Sequence, residues 1–196
     1  TIRLAIQIVG LRAGVSRASA LQLLVLDDRL VLCADTMLNI EPTAEELAEI
    51  AELAADTTHL FDIVPKVALL SFSSFGSVRH RQTDRVARAV AIVHARRPEL
   101  IIDGEMHVDA ALVEEIALEN YPHSRIKGDA NVLVFPGLDA ANIGYKLVQR
   151  LGRADAIGPM LMGMRHPVGV IQPGSSMSDI VNLAAITAVT VDLVVG

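Results

Sequence analysis

Short apolar runs alternate along this chain with amphipathic segments of about three helical turns. Residues 67–73 (VALLSFS) and 132–135 are such runs, and amphipathic segments at residues 83–97 and 139–151 follow them. Apolar runs without internal alternation are typical of strands that are buried on both faces of a parallel sheet. The sequence therefore predicts an α/β fold with a largely parallel sheet and helices on both of its faces.

The remaining segments add a hairpin and further strands and helices. Apolar runs at residues 21–26 and 30–34 flank two aspartates, which predicts a β-hairpin. Thr43 and Glu46 have the spacing of a capping box, so a helix is expected from Thr43 to about residue 58. Further strands are expected at residues 100–102 and 168–171, and further helices at residues 109–119 and 176–189.

Composition excludes several classes of protein. The net charge is -6 and aromatic residues make up 3% of the chain, which argues against a nucleic-acid-binding surface. The single cysteine, Cys33, excludes an internal disulfide framework, and its apolar neighbours predict a buried packing residue. No segment has the pattern of a membrane span or a signal peptide, so we expect a cytoplasmic protein that binds neither membranes nor nucleic acids.

Polar residues follow the expected strands, where ligands bind in α/β folds. The hydroxyl-rich stretch at residues 71–77 can offer backbone N–H groups to an anion, although a solvated turn explains it as well. Residues 103–107 (DGEMH) can form a metal or acid/base cluster, or a turn in which Asp103 caps the next helix.

Two later loops precede expected helices. Asp139 is a good N-cap, and the N-terminus of the helix that it begins can also hold a phosphate. Ser176 and Asp179 again have capping-box spacing, in a Gly-Ser loop that is equally typical of an anion site. The basic cluster Arg79-His80-Arg81 is explained by a solvated loop or by contact with phosphates.

Short strings in these loops together resemble the phosphate acetyl/butyryltransferase family. They occur in the family's order and cover nearly the whole chain. The matching strings lie at residues 34–35, 42–48, 69–73, 103–105, 130–136, 142–146, 156–159 and 179–182.

The resemblance implies a two-lobed fold with the active site between the lobes. Residues 1–12 then correspond to the end of the first lobe, residues 13–160 to the second lobe, and residues 161–196 to the segment that returns to the first lobe. The compositional break at residues 158–167 is expected to be the crossing between lobes. Since most of the first lobe is missing and the chain begins with threonine, we expect a piece of a longer polypeptide.

The departures from the family pattern concern the implied chemistry. Active acetyltransferases of the family carry a Ser-Arg pair that stabilises the transition state and binds phosphate, whereas this chain has Gln172-Pro173. The aspartate that takes the coenzyme A thiol proton is kept as Asp179, and the family's Asp-Cys motif is Asp35-Thr36 here. Losing such an arginine is expected to slow acyl transfer roughly a hundredfold or more.

These departures resemble one branch of the family, the C-terminal phosphotransacetylase-like domain of bacterial NADP-dependent malic enzymes. Residues 70–76 and 163–168 match that branch as well. The resemblance implies a domain without acyl transfer that binds acetyl-CoA as an allosteric effector and helps build a homo-oligomer, at least a dimer. NADP and a divalent metal would then belong to the malic-enzyme catalytic domain elsewhere in the same polypeptide, which converts malate to pyruvate, and no metal is expected in this chain.

The expected acetyl-CoA or anion contacts follow from this resemblance and from the loops. Two other functions remain open: an active phosphate acetyltransferase with Asp179 as base and Arg79 or Arg81 on phosphate, and a purely architectural domain. The expected contact residues are Arg3, Ser73, Ser74, Gly76, Ser77, Lys146, Gln172, Gly174, Ser175, Ser176 and Asp179.

Overall fold

A computed structural model describes residues 2–172 and 174–195. Its strands are β1 (Ser19–Val25), β2 (Leu30–Ala34), β3 (Lys66–Leu70), β4 (Ile101–Met106), β5 (Val132–Val134), β6 (Asp155–Met162) and β7 (Val168–Gly169). Its α-helices are α1 (Ile2–Val9), α2 (Ala44–Thr57), α3 (Arg81–Arg96), α4 (Val108–Leu112), α5 (Glu114–Asn120), α6 (Leu138–Leu151) and α7 (Met177–Val195), and a 3₁₀ turn (Thr58–Phe61) follows α2.

The strands form one sheet in the order β4-β3-β5-β2-β1-β6-β7. Neighbours from β4 to β2 pair in parallel, whereas β1 is antiparallel to both β2 and β6, and β7 is antiparallel to β6. Strands β2 to β6 therefore all run in the same direction, and their carboxyl ends lie at one edge of the sheet. The predicted α/β fold, with a largely parallel sheet between helices, is confirmed.

Alternate residues of each strand pack on opposite faces of the sheet. In β3, Val67 and Leu69 join a core that includes residues of α2, α3 and α7, whereas Ala68 and Leu70 join a core that includes residues of α4 and α6. A third, smaller cluster places α1 over β6 and β7. Helices thus cover both faces of the sheet, and the apolar side chains of its strands are buried on each face.

Several local predictions are confirmed. The hairpin forms with Leu21 opposite Ala34. Thr43 and Glu46 form the expected capping box at the start of α2.

Among the described residues, no helix combines the length and the apolar character that crossing a membrane requires.

Other predictions are corrected. Asp103 and Glu105 lie inside β4, which continues to Met106, and the helix expected at residues 109–119 is two short helices, α4 and α5. The last strand ends at Gly169 rather than at residue 171. The N-cap of α6 is Gly137, and Asp139 lies in the first turn, where its charge favours the helix dipole.

The sequence did not predict α1 or β6. Residues 158–167 were expected to be a crossing between lobes, yet β6 covers residues up to Met162 and pairs with β1 along its length. Gly158 and Pro159 are typical of loops. Here they lie at an irregularity in the pairing with β1, where the register shifts by one residue. Strands tolerate glycine and proline at such positions. The division into lobes stays a prediction; in this structure β7 and α7 pack against β6.

Candidate functional site

The loop at residues 71–77, which we call the serine loop, connects β3 to the start of α3. Two of its serines are buried. Ser73 Oγ and the Gly76 backbone N–H both donate to Glu105 Oε1, at 2.9 and 2.7 Å. Ser74 Oγ accepts the His107 N–H at 2.9 Å. The carboxylate of Glu105, itself buried, therefore fills the inside of the serine loop.

The backbone of the serine loop is also engaged internally. The N–H of Ser71 donates to the Met106 carbonyl, that of Phe75 to the Glu105 carbonyl and that of Ser77 to the Ser74 carbonyl. Gly76 has φ +81°, a left-handed conformation that suits glycine. An anion that approached this loop would meet the Glu105 carboxylate, and the expected binding role of Ser73, Ser74, Gly76 and Ser77 stays a prediction.

The residues expected to form a metal or acid/base cluster have structural partners. Asp103 accepts the backbone N–H groups of Gly104 and Arg125, at 3.0 and 2.9 Å. His107 is the N-cap residue of α4. Among the side chains that the structure describes, no three of His, Cys, Asp or Glu are grouped so that they can hold a metal ion. These contacts give the DGEMH string structural roles, but as strand residues rather than as the predicted turn with Asp103 as the helix cap.

A second polar cluster lies where α6 meets the chain after β7. Tyr145 is 5% exposed, and its burial raises the pKa of the hydroxyl, an effect that the adjacent Gln172 amide partly offsets. Lys146 Nζ lies 5.9 Å from the centre of the Tyr145 ring, and its side chain is exposed. Gly144 lets α6 approach Phe135 closely, because a Cβ atom there would lie 3.0 Å from that ring.

The chain after Gln172 forms a turn and a helix cap, which we call the Gln172 turn (residues 172 and 174–179). The Gln172 N–H donates to Ser175 Oγ at 3.2 Å. The Ser176 N–H donates to Asp179 Oδ2 at 2.8 Å, and the Asp179 N–H donates to Ser176 Oγ at 3.1 Å, which confirms the predicted capping box. Gly174 and Ser176 are exposed, whereas Pro173 lies outside the described residues.

Arg3 lies on α1, with its side chain exposed. Ile2 and Ile6 of the same helix pack with Val168 and Val170, immediately before the Gln172 turn. The structure therefore places Gln172 beside Tyr145, the neighbour of Lys146 in α6, and places the helix of Arg3 against the strand that leads into the Gln172 turn.

The serine loop is distant from this second cluster. Strands β5, β2, β1 and β6 lie between β3 and β7, which corresponds to roughly 24 Å at the usual strand spacing. Arg79, His80 and Arg81 lie on the serine-loop side, where His80 caps α3 by accepting the Gln82 N–H. The strand order thus divides the predicted contact residues into two groups.

Sequence reasoning missed the roles of two buried side chains. Asp35 accepts backbone N–H groups from Ala20, Met37 and Asn39 at 2.9 to 3.0 Å, and so fixes the loop after β2. The Tyr145 hydroxyl lies beside the Gln172 amide. Both residues lie in strings that match the family, but Ala20 and Gln172 reach them from distant parts of the chain. Cys33 is buried as predicted, and burial raises the pKa of its thiol to about 12, so it is protonated at neutral pH.

Comparisons with known proteins extend over nearly the whole chain. The sequence profile of the phosphate acetyl/butaryl transferase family matches residues 1–188. Phosphate acetyltransferase of Bacillus subtilis is 46% identical over 188 residues, which is 96% of this chain and 58% of the relative. NADP-dependent malic enzyme of Escherichia coli is 46% identical over 184 residues, which is 93% of this chain and 24% of that enzyme.

The fold is similar to that of a solved relative. A phosphotransacetylase structure from Streptococcus pyogenes superposes with a TM-score of 0.94 at 46% identity, over 98% of this chain and 59% of that one. The chain therefore spans less than two thirds of the length of the acetyltransferases that it matches.

Proposed function

Because this chain belongs to the phosphate acetyl/butaryl transferase family, we propose that it forms part of a domain that transfers an acetyl group between coenzyme A and inorganic phosphate. The observation that carries the proposal is Asp179, which the chain keeps at the start of α7 in the Gln172 turn, whose first residue lies beside Tyr145, the neighbour of Lys146 in α6. An acidic residue at that place can accept a thiol proton, and a nearby ammonium group can hold phosphate.

The proposed reaction uses the side chains as follows. A phosphate oxygen attacks the thioester carbonyl of acetyl-CoA, the carbon–sulfur bond breaks, and acetyl phosphate and coenzyme A leave. In the reverse direction Asp179 accepts the proton of the coenzyme A thiol as the sulfur attacks the carbonyl carbon of acetyl phosphate, the carbon–oxygen bond to the phosphate breaks, and inorganic phosphate leaves. One oxygen of Asp179, Oδ2, accepts the Ser176 N–H, which orients the carboxylate for that transfer. Lys146 and Arg3 supply positive charge for the phosphate groups.

A second candidate function has its own observation. Gln172-Pro173 stands where the active family members have a Ser-Arg pair, and the E. coli malic enzyme matches this chain at 46% identity. In that case the domain binds acetyl-CoA as an allosteric effector of a malic enzyme, within a cytoplasmic homo-oligomer, and transfers no acetyl group. This is the function that the resemblance to the malic-enzyme branch implies.

The comparisons support acetyl transfer better than regulation. The B. subtilis relative named phosphate acetyltransferase is matched over 58% of its own length, whereas the match covers 24% of the malic enzyme. Both functions share acetyl-CoA binding at the Gln172 turn. They differ in whether acetyl transfer can proceed with Gln172-Pro173 in place of the Ser-Arg pair.

The test is an acetyl phosphate assay on the full-length protein that contains this chain. If the domain transfers acetyl groups, turnover is measurable and Asp179→Asn lowers it about a hundredfold or more, because proton transfer is lost. Asp109→Asn is the matched control, since Asp109 is an exposed first-turn aspartate of α4. Acetyl-CoA binding in calorimetry without acetyl phosphate formation would instead support the regulatory function, and an absence of binding would refute both.

A further inference from the structure

A cavity of about 420 Å³ lies between α2, β6, β7 and α7, on the sheet face opposite the Tyr145 cluster. Met160 and Met162 of β6 and Leu53 of α2 form its apolar wall. Thr187 and Thr190 of α7 line it from the other side. Its volume is in the range of small-molecule sites, which are typically apolar with a few placed polar groups.

Basic side chains outnumber acidic ones among the residues that line the cavity. Arg12, His59 and His166 line it, and all three side chains are exposed enough to reach a ligand. The acidic lining residue, Asp56, is bound to Arg97 Nη1 at 2.7 Å. Arg12 Nη2 forms a long ion pair with Asp56 Oδ2 at 4.0 Å, without a hydrogen bond, so the N–H groups of Arg12 can still turn to a ligand. The cavity therefore combines an apolar interior with cationic and donor groups.

We propose that this cavity binds a small carboxylate with an unbranched apolar chain, and the proposal does not depend on the function proposed above. The carboxylate would pair with the Arg12 guanidinium, whose two parallel N–H groups match a carboxylate. The chain would lie along Met160 and Met162, because methionine side chains adapt to the shape of an apolar ligand. A cationic ligand of the same shape would be repelled by Arg12.

The test is a titration of the full-length protein with butanoate, hexanoate and octanoate by ligand-observed NMR. Affinity is expected to rise about fourfold for each added methylene, since each is transferred from water to the apolar wall. Pentylamine, which has the same alkyl chain as hexanoate and the opposite charge, is expected not to bind. Saturating acetyl-CoA should leave hexanoate binding unchanged, because the cavity residue Thr187 lies about 12 Å along α7 from Asp179 of the Gln172 turn.

Two variants make the proposal falsifiable. Arg12→Glu is expected to weaken hexanoate binding at least about tenfold, whereas Arg29→Glu, in the exposed hairpin turn, is the matched control and leaves it unchanged. Thr190→Leu fills part of the cavity and is expected to weaken binding of octanoate more than of butanoate. Unchanged hexanoate binding in a folded Arg12→Glu protein, displacement by acetyl-CoA, or no binding of any of the three carboxylates would overturn the proposal.

Discussion

The serine loop and the Gln172 turn are similar in sequence and different in structure. Each is rich in serine and glycine, follows a strand, leads into a helix and is paired with one acidic residue. In the serine loop Ser73 and Ser74 are buried, and the Ser73 hydroxyl donates to the buried Glu105. In the Gln172 turn Gly174 and Ser176 are exposed, and Asp179 accepts the cap N–H of its own helix. Ser73 and Ser74 of the serine loop thus have buried partners, whereas Ser176 of the Gln172 turn lies at the surface, where a ligand can reach it.

The largest effect is expected from Glu105→Ala in the serine loop. It leaves Ser73 Oγ and the Gly76 N–H without their carboxylate acceptor in a buried position, which should lower the free energy of unfolding by about 3 kcal/mol. Urea denaturation of the full-length protein measures this. Glu115→Ala, at an exposed position of α5, is the control and should change stability by less than about 0.5 kcal/mol. A Glu105→Ala protein of normal stability that no longer binds acetyl-CoA would make the serine loop the ligand site.

A smaller effect, on binding rather than on stability, is expected from Lys146→Ala. Its exposed ammonium lies over Tyr145, which contacts Gln172, so its loss should weaken acetyl-CoA binding about tenfold and leave the melting temperature unchanged. Isothermal titration calorimetry measures the affinity. Arg150→Ala removes another exposed cation from the same helix, and an equal loss in that variant would show that the effect is general charge and not a specific contact.

The smallest effect is expected from Ser176→Ala. Removal of the cap hydroxyl leaves the Asp179 N–H to water at an exposed helix end, which should lower stability by about 1 kcal/mol. Thermal unfolding measures this, with Asn182→Ala on the exposed face of α7 as the control. A drop in acetyl-CoA affinity of more than about tenfold in Ser176→Ala would mean that the hydroxyl contacts the ligand, since loss of a cap alone has no such effect.

Some elements could be predicted because their cause lies within a few residues of chain. Thr43 and Glu46 are three residues apart and bond each other's backbone, as Ser176 and Asp179 do. The predictions that were wrong have distant causes. Residues 155–162 form a strand because β1 supplies its hydrogen bonds, which overrides the loop character of Gly158 and Pro159.

The sequence by itself determined the alternation of strands and helices, the helix caps, the hairpin and the strings that identify the family. The tertiary structure alone decided that Glu105 enters a loop 32 residues earlier in the chain, that Gln172 meets Tyr145, and that four strands separate the two serine-rich loops. The physical reason is the distance along the chain between the residues that interact. Caps and turns depend on hydrogen bonds between residues that are neighbours in the chain, whereas contacts between loops depend on the order in which strands pair, and many orders are compatible with one alternation pattern.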